Sequence, residues 1–193
     1  MAKKESNLRN MLFALLLITL VASASLGGIY QLTKEPIAAA KLEKKNNAIK
    51  QVIPEFDNSP TSEVYKEAVN GDTIYFYPGR KGEELVGTAV ETFSMLGFSG
   101  EIKVMVGFLP DGTINDVAVL EHEETPGLGD KMERKKSEWS LQFQGKDPGD
   151  FRLMVKKDGG DVDAITASTI SSRAFCDALA KAWEKYMSIN DNK

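Results

Sequence analysis

The first hydrophobic pattern along the chain is one long uncharged stretch near the N-terminus. No charged residue occurs from Asn10 to Thr33, and Met11–Tyr30 is almost wholly apolar. As a helix this stretch would be roughly 36 Å long at ~1.5 Å per residue, enough to cross a ~30 Å hydrocarbon layer. The pattern therefore predicts a transmembrane helix over residues 11–33, preceded by a short cytoplasmic tail over residues 1–10.

A cleaved signal peptide is the alternative interpretation of the same stretch. Lys3 and Lys4 would form its basic start, and Ala22–Ala24 has the small residues of a cleavage site. Apolar residues continue past that point as far as Tyr30, which favours an uncleaved span. Lysines flank both ends of the stretch, so the charges alone do not set its orientation.

A second helix is predicted between the apolar stretch and the first strands. Lys34–Ile53 has apolar residues among lysines, and Pro36 is typical of the first turn of a helix. The loop Asp57–Pro60 ends this segment. We therefore assign residues 34–58 to a helical stalk or linker and residues 59–193 to one folded domain.

The remaining chain alternates short β-like segments with turns before a final helix. The predicted strands are Thr73–Tyr77, Leu85–Met95, Ile102–Leu109 and Ile114–Leu120, with Leu141–Phe143 and Phe151–Lys156 as further candidates. The turn Pro110–Gly112 suits a hairpin, and Gly127–Ser140 is predicted to be a loop with a short helix. From Thr169 onward apolar residues recur every three or four positions, which predicts an amphipathic helix. The predicted fold class is α+β, with a transmembrane helix, an antiparallel sheet and a C-terminal amphipathic helix.

Composition excludes several classes of function. The chain has 24 basic and 28 acidic residues, and its formal net charge of −4 argues against nucleic acid, which favours a concentrated basic surface. Cys176 and His122 are the only cysteine and the only histidine. An iron–sulfur cluster or a tetrahedral zinc site needs about four thiolate or imidazole ligands, which these two residues cannot supply. Any redox chemistry must therefore use an organic cofactor.

Other residues with possible chemistry have simpler structural interpretations. Glu121–Glu124, which includes His122, is interpreted as a solvated charged segment rather than a metal site, because neighbouring strand residues point to opposite faces. Cys176 is predicted to be a small buried side chain in the last helix. Trp139 and Trp183 are both able to stack on a ring, and Trp183 fits the core face of that helix better.

Small and hydroxyl-bearing residues are concentrated immediately before and at the start of the last helix, in Asp163–Ser172. Free backbone N–H groups at a helix N-terminus favour an anion such as a phosphate. Ser and Thr are also common at this position simply because their oxygens cap the helix. The residues by themselves therefore leave a phosphate site and a plain N-cap open.

The same segment resembles the flavinylation motif of the FMN-binding domain family. That domain is shared by the G subunit of the Rnf complex and the C subunit of the sodium-pumping NADH:quinone reductase. Asp163, Thr166 and Thr169 occupy the matching positions, whereas Ala167 replaces the usual Gly and Ser168 the usual Ala. In the family, a dedicated flavin transferase attaches FMN to the final Thr through a phosphoester bond. The resemblance implies that Thr169 carries covalent FMN and that the other four residues contribute to the cofactor site.

Two further segments resemble motifs of this family in the same order. Glu124–Gly129 is similar to the family's Glu-Thr-Pro-Gly-Leu-Gly loop, which lies against the flavin. Gly97–Ile102 is similar to its Gly-aromatic-x-Gly strand start. The loop adds the following residues to the candidate cofactor site: Glu124, Thr125, Pro126, Gly127 and Leu128. No catalytic residue and no metal ligand is assigned to this chain.

The resemblance implies an electron-carrying subunit of a membrane complex. The short length favours the G subunit of the Rnf complex, which moves electrons between ferredoxin and NAD and couples them to ion transport. The C subunit of the quinone reductase is the alternative. The implied partners are a second covalently flavinylated membrane subunit, iron–sulfur subunits, the other Rnf subunits and the flavin transferase. The implied location is the bacterial inner membrane, with the soluble domain outside the cytoplasm.

Two functions of other classes also remain open on the sequence. A membrane-anchored ligand-binding or sensory domain would use the hydroxyl residues of Asp163–Ser172 only as a helix cap. A hydrolase with a Thr or Ser nucleophile would need a base, and the sole histidine, His122, belongs to a charged run. Flavin colour and fluorescence in the purified protein would separate the electron carrier from both.

Overall fold

The computed structural model describes residues 7–69 and 72–190 and divides the chain into two compact units, Met1–Glu43 and Lys44–Lys193. One helix, α1 (Leu8–Val52), forms the described part of the first unit and continues into the second. The prediction that a separate helix begins near Pro36 is wrong, because Pro36 lies inside α1. A proline inside a helix removes one backbone donor and crowds the carbonyl of the preceding turn, and the long helical segments on both sides offset that local cost.

The N-terminal part of α1 has the properties of a membrane-spanning helix. Its large apolar side chains between Met11 and Tyr30 are all exposed within the first unit. Among the described residues, α1 is the one helix that is long and apolar enough to cross a bilayer. A stretch of such side chains is costly in water but stable in lipid, so α1 fits the predicted transmembrane helix.

The second unit contains a five-stranded antiparallel sheet in the order β1-β2-β3-β4-β5. Its strands are β1 Tyr65–Val69, β2 Asp72–Lys81, β3 Glu84–Gly97, β4 Gly100–Phe108 and β5 Ile114–His122. The predicted α+β class is confirmed, and β2 to β5 correspond to the four main predicted strands, of which the third, Ile102–Leu109, extends one residue beyond the end of β4. The sequence pattern does not predict the edge strand β1, because two of its five residues are charged and its apolar positions do not alternate regularly.

A C-terminal helix, α2 (Thr169–Asn190), packs against β3 and β4 over the main hydrophobic core. Its buried apolar side chains keep the predicted spacing: Ala174, Phe175, Ala178, Leu179, Ala182 and Tyr186. The Tyr186 ring stacks on Phe108 with the centroids 4.9 Å apart, and its hydroxyl donates to the Leu109 carbonyl at 3.0 Å. The helix is therefore held by its apolar face, and its N-terminal end has a defined position beside the sheet.

The predictions for the cysteine and for Trp183 are confirmed. Cys176 lies in the main core, and its burial raises the pKa of the thiol to about 12. The thiol is therefore protonated at neutral pH and is not a reactive group. Trp183 packs against the same core. Trp139 does so as well, with its ring edge-on to Phe143 and Phe175.

The end of α1 packs on the other face of the sheet in a second hydrophobic cluster. The buried residues of this cluster are Ala48, Ile49, Val52, Ile53, Tyr77, Ala89, Met105 and Leu120. Tyr77 and Met105 alternate along their strands with residues of the main core, so they point to the opposite face. Gly107 permits the close approach, because an added Cβ would overlap the backbone of Val52. The compact unit thus begins at Lys44, earlier than the predicted boundary at residue 59.

The segment between β5 and α2 contains three short 3-10 helices and, in its described residues, no strand. They span Gly129–Met132, Trp139–Phe143 and Lys156–Asp158. The short helix predicted within Gly127–Ser140 is therefore present, but the strands predicted at Leu141–Phe143 and Phe151–Lys156 are wrong. Short apolar runs do not distinguish strands from buried irregular segments, and here the second run makes a single bridge, from Val155 to Val162.

Candidate functional site

A cleft of about 350 Å³ opens at the N-terminal end of α2. Three elements form it: the start of α2, the loop after β5 and the turn between β3 and β4. Its lining residues are Phe98, Glu124, Thr125, Leu128, Gly129, Ala167, Ser168, Thr169, Ile170 and Ser171. The volume lies in the range of about 300–1,000 Å³ that is typical of small-molecule sites. The cleft is therefore large enough for a ligand and is built from loops held by a rigid sheet and helix.

Thr169 is the first residue of α2, and the chain before it turns sharply into the helix. The first backbone bond of the helix runs from the Ser172 N–H to the Ser168 carbonyl at 3.1 Å. The N–H groups of Thr169, Ile170 and Ser171 precede that bond, and such groups have no carbonyl partner within a helix. They are available to an anion beside Thr169, and the helix dipole adds to the attraction.

Thr169 is also the accessible hydroxyl residue of the cleft wall at the start of α2. Ser168, Ser171 and Ser172 are buried, and their hydroxyl groups are already hydrogen bonded. The Ser168 and Ser171 oxygens lie 2.7 Å apart, and the Ser172 hydroxyl donates to the Ser168 carbonyl at 2.9 Å. Thr166 is exposed but does not line the cleft. Of the five hydroxyl residues, Thr169 alone combines partial exposure with a place in the wall.

The turn into α2 passes through an unusual backbone conformation at Ala167. Its φ is 61°, and among the described residues it is the sole non-glycine with a positive φ. This left-handed conformation is easy for glycine and costs other residues roughly 1–2 kcal/mol. The Gly that the related motif carries at this position therefore has a conformational reason, and the alanine in this chain retains the turn with some strain.

Replacing Ala167 by Gly is expected to stabilise the protein by about 1 kcal/mol, because it relieves the left-handed strain at the turn. The free energy of unfolding from denaturant titration measures the effect. Ala164→Gly is the matched control, since Ala164 has no positive φ. That variant should lose stability through the larger entropy of its unfolded chain. Equal changes in the free energy of unfolding of the two variants would show that Ala167 is not strained.

The loop after β5 makes a tight turn behind the wall of the cleft. The Leu128 N–H donates to the Thr125 carbonyl at 3.1 Å, and Gly127 has a φ of 80°. Pro126 and Gly127 thus occupy the two central positions of a type II turn, where proline and glycine are preferred. The Gly127 N–H donates to the Asp130 carboxylate at 2.7 Å, which fixes the turn to the following 3-10 helix. The backbone of this loop is therefore set before any ligand binds.

Glu124 is buried in the wall of the cleft, with 5% of its surface exposed. Its Oε1 accepts the Ser99 N–H at 3.1 Å, and its Oε2 accepts the Ser171 hydroxyl at 2.6 Å. These bonds join the loop to the β3–β4 turn on one side and to α2 on the other. Glu124 therefore holds together the three elements that form the cleft.

His122 supports the same loop from behind. Its Nδ1 accepts the Glu124 N–H at 3.0 Å, and its Nε2 lies 3.0 Å from Glu133 Oε1. A ring nitrogen that accepts a hydrogen bond carries no proton, so the proton of the neutral ring is on Nε2 and is donated to Glu133. The interpretation of Glu121–Glu124 as a solvated charged segment is wrong for Glu124, which the fold buries, and for His122, whose side chain is only 10% exposed. The alternation of side chains along a strand shows that neighbours point to opposite faces, but it does not show which of those faces the adjoining loop covers.

Comparison with known proteins gives the family. The chain is 34% identical to the G subunit of the ion-translocating oxidoreductase complex of Shewanella baltica (strain OS223), over 88% of this chain and 85% of that protein. It is 38% identical to the G subunit of the same name from Haemophilus influenzae (strain PittEE), over 84% and 80% of the two chains. The Salmonella typhi G subunit is 37% identical, over 80% and 79%. The chain belongs to the family of these G subunits. In addition, the sequence model of the FMN-binding domain matches residues 97–184.

All the cleft residues of this member of the G-subunit family fall within the region that matches the FMN-binding domain. Of the predicted site residues, the structure brings together Glu124, Thr125, Leu128, Ala167, Ser168 and Thr169 in the cleft wall. Pro126 and Gly127 form the turn behind that wall, and Thr166 lies outside it. The predicted site is therefore largely assembled in one place by the fold.

Asp163 is set apart from the cleft. Its carboxylate is exposed and pairs with Lys156 at 2.8 Å, while its backbone carbonyl accepts the Trp139 ring N–H. The Asp163 side chain is therefore on the surface, where it is accessible to another protein. Nothing in this geometry brings it to a ligand in the cleft.

The prediction from sequence missed four lining residues: Phe98, Gly129, Ile170 and Ser171. The sequence contained a signal for each of these four residues. Phe98 is the aromatic residue of the Gly97–Ile102 motif, Gly129 ends the Glu124–Gly129 motif, and Ile170 and Ser171 directly follow Thr169. Their place in the wall depends on the pairing of β3 with β4 and on the position of α2, which those motifs do not contain.

Proposed function

We propose that this chain is an electron-carrying flavoprotein subunit of an Rnf-type ion-translocating oxidoreductase complex, with FMN attached to Thr169 by a phosphoester bond. The observation that carries the proposal is the position of Thr169. Its hydroxyl is accessible in the wall of a cleft, at the first residue of a long helix. The related G subunits and the matched FMN-binding domain supply the class of complex and the class of cofactor.

The residues of the cleft fit such a cofactor. No Lys or Arg is among the lining residues, so the helix N-terminus would have to hold the phosphate. Phe98, Leu128 and Ile170 offer partly exposed apolar surface for a flat ring. Gly129 is tightly packed within the wall, because an added Cβ would lie 2.7 Å from Glu124 Cβ and 2.8 Å from Ser171 Oγ. The polar and apolar parts of the wall thus match the two ends of FMN.

Bound FMN supplies the redox chemistry, since a flavin exchanges electrons singly or in pairs. The chain's own residues bind and orient it. Thr169 would provide the attachment point, the start of α2 would hold the phosphate, and the turn at Pro126 and Gly127 fixes the flanking Thr125 and Leu128, which line the cleft. We assign no catalytic acid, base or nucleophile to this chain, and turnover belongs to the complex. We propose as partners the other Rnf subunits, including iron–sulfur subunits and a second flavinylated membrane subunit.

Intact mass tests the proposal directly. The protein made together with a flavin transferase should gain the mass of FMN less water, and the protein made without the transferase should lack it. The purified holoprotein should be yellow and fluoresce in a denaturing gel. An unchanged mass and a colourless protein would favour a non-redox ligand-binding or sensory module in which the hydroxyl residues only cap α2.

A hydrolase is disfavoured, because the His122 nitrogens already contact Glu133 and the Glu124 N–H.

The soluble unit is expected to lie outside the cytoplasm, with α1 as an uncleaved anchor in the bacterial inner membrane. The apolar part of α1 motivates the anchor, and the proposed membership of an Rnf-type complex motivates the side. Alkaline phosphatase fused after residue 193 should be active, and a reporter that works only in the cytoplasm should be silent. The opposite pattern would reverse the topology, and a mature N-terminus at Ser25 would show that the segment is a cleaved signal.

A further inference from the structure

The buried carboxylate of Glu124 occupies a space that the backbone leaves for it on two sides. An added Cβ at Gly97 would lie 2.3 Å from the Gly100 carbonyl oxygen and 2.7 Å from Glu124 Oε1, and one at Gly129 would lie 2.7 Å from Glu124 Cβ and 2.8 Å from Glu124 Oε2. The Gly100 backbone alone excludes a side chain at Gly97, and the Glu124 side chain is among the groups that exclude one at Gly129. The backbone therefore lies close to the Glu124 carboxylate on both sides.

The hydrogen bonds of this carboxylate suit a negative charge. Each oxygen accepts one bond, from the Ser99 N–H and from the Ser171 hydroxyl, as described above. Within residues 7–69 and 72–190, no ion pair to Glu124 is formed by Lys, Arg or His. The neighbouring His122 ring is neutral, because its Nδ1 accepts the Glu124 N–H. The charge is thus held by dipoles rather than cancelled by a cation.

We propose that Glu124 is a fixed negative charge in the flavin cleft that lowers the midpoint potential of the cofactor. The inference rests on the proposed function, since it concerns the same cleft. Glu124 lines that cleft while 95% of its surface is shielded, so water screens its field only weakly. A negative charge opposes the arrival of an electron nearby, which makes reduction harder and gives the reduced cofactor a stronger tendency to donate.

The hydrogen bonds around Glu124 also fix the position of its charge, which a residue that only contacted the cofactor would not need. The bond between His122 and the Glu124 N–H fixes the backbone from which the side chain extends, and Ser99 and Ser171 fix its two oxygens. The carboxylate therefore cannot turn towards solvent without breaking several bonds. A charge held in one position acts on the potential by a constant amount, whichever partner docks.

The test uses the full-length holoprotein made with the flavin transferase, and its readout is the flavin midpoint potential from a spectroscopic redox titration at pH 8. Glu124→Gln keeps the size and hydrogen-bonding capacity of the side chain but removes the charge, and it should raise the potential. Glu133→Gln is the matched control. Glu133 is 29% exposed, contacts His122 and does not line the cleft, so losing its charge should change the potential much less.

A second variant keeps the proposal testable if Glu124→Gln does not fold. Ser171→Ala leaves the carboxylate in place but removes a donor whose dipole partly cancels its field, so the potential should fall. Opposite shifts in the two variants are not expected from mere loosening of the cleft. A potential that does not rise in Glu124→Gln, or that does not fall in Ser171→Ala, would overturn the inference.

Intact mass of each sample separates this failure from failure of the proposed function. If the wild-type protein carries no covalent flavin, the proposed function itself is wrong. If all the proteins carry flavin on Thr169 and their potentials agree, only the role of Glu124 is wrong.

Discussion

Thr169→Ala is expected to abolish covalent attachment of FMN completely, so that its intact mass shows no adduct even with the flavin transferase present. The phosphoester requires a hydroxyl oxygen at the start of α2, and alanine has none. The neighbouring serines are poor substitutes. Ser168 and Ser171 are 9% and 0% exposed, and their hydroxyls are engaged in the bonds that join α2 to Glu124. These serines cannot take the place of Thr169 without disrupting the wall, and Thr125, the other accessible hydroxyl residue of the cleft, lies in the loop after β5 rather than at the start of α2.

Thr166→Ala is the matched control for this experiment, since it removes a hydroxyl from the same motif. Thr166 is exposed and outside the cleft, so its loss should reduce the yield of flavinylation without preventing it. Thr169→Ser should retain the adduct, because it keeps the required oxygen. Covalent FMN in Thr169→Ala would refute the attachment site. Equal loss in Thr166→Ala would instead indicate that the transferase fails to recognise the altered motif.

A soluble fragment of residues 44–193 is expected to fold, whereas residues 59–193 should be unstable or aggregate. The shorter fragment lacks Ile49, Val52 and Ile53, which are 3% exposed or less in the second hydrophobic cluster. Burying an aliphatic side chain contributes about 1.5–3 kcal/mol, so losing three removes roughly 5–9 kcal/mol. A typical domain has a free energy of unfolding of about 5–15 kcal/mol, so this loss is comparable with the entire stability of the domain. Thermal unfolding followed by circular dichroism measures the difference.

Gly107→Val in the fragment 44–193 provides an independent check of the same contact. It keeps the residues of α1 but places a side chain where the Val52 backbone lies, so it should also destabilise the unit strongly. Gly159→Val is a control at a surface turn, where an added Cβ meets no atom within 4 Å but the φ of 89° adds local strain. Gly159→Val should lower the free energy of unfolding by less than Gly107→Val does. Equal melting temperatures for 44–193 and 59–193 would show that the end of α1 is only a linker.

Several features of this protein follow from its sequence alone, because they depend on local or periodic information. The uncharged stretch at residues 10–33 is long enough for a bilayer whatever the rest of the chain does. The three-to-four-residue spacing after Thr169 specifies both a helix and its buried face, and the structure buries Phe175 and Leu179 accordingly. The motif from Asp163 to Thr169 carried the resemblance to the FMN-binding domain family, and Thr169 lies at the start of α2 as its composition suggested.

Only the tertiary structure decided which residues meet in the cleft. Glu124 appeared to belong to a solvated run, and its burial depends on Gly97 and Ser171, which are distant from it in the chain and are brought close by the β3–β4 turn and α2. Asp163, although part of the motif, has an exposed carboxylate that pairs with Lys156 outside the cleft. Local pattern cannot show such pairings, because they depend on which segments the sheet places side by side.

The boundary of the folded unit was decided in the same way. The apolar residues Ile49 and Val52 among lysines resemble any amphipathic stalk, and their pattern does not say what they cover. Gly107, in a strand predicted correctly, leaves the gap that receives Val52. Whether a stripe of apolar side chains is a linker or part of a core depends on the shape of the opposite surface. That surface exists only after the sheet has formed.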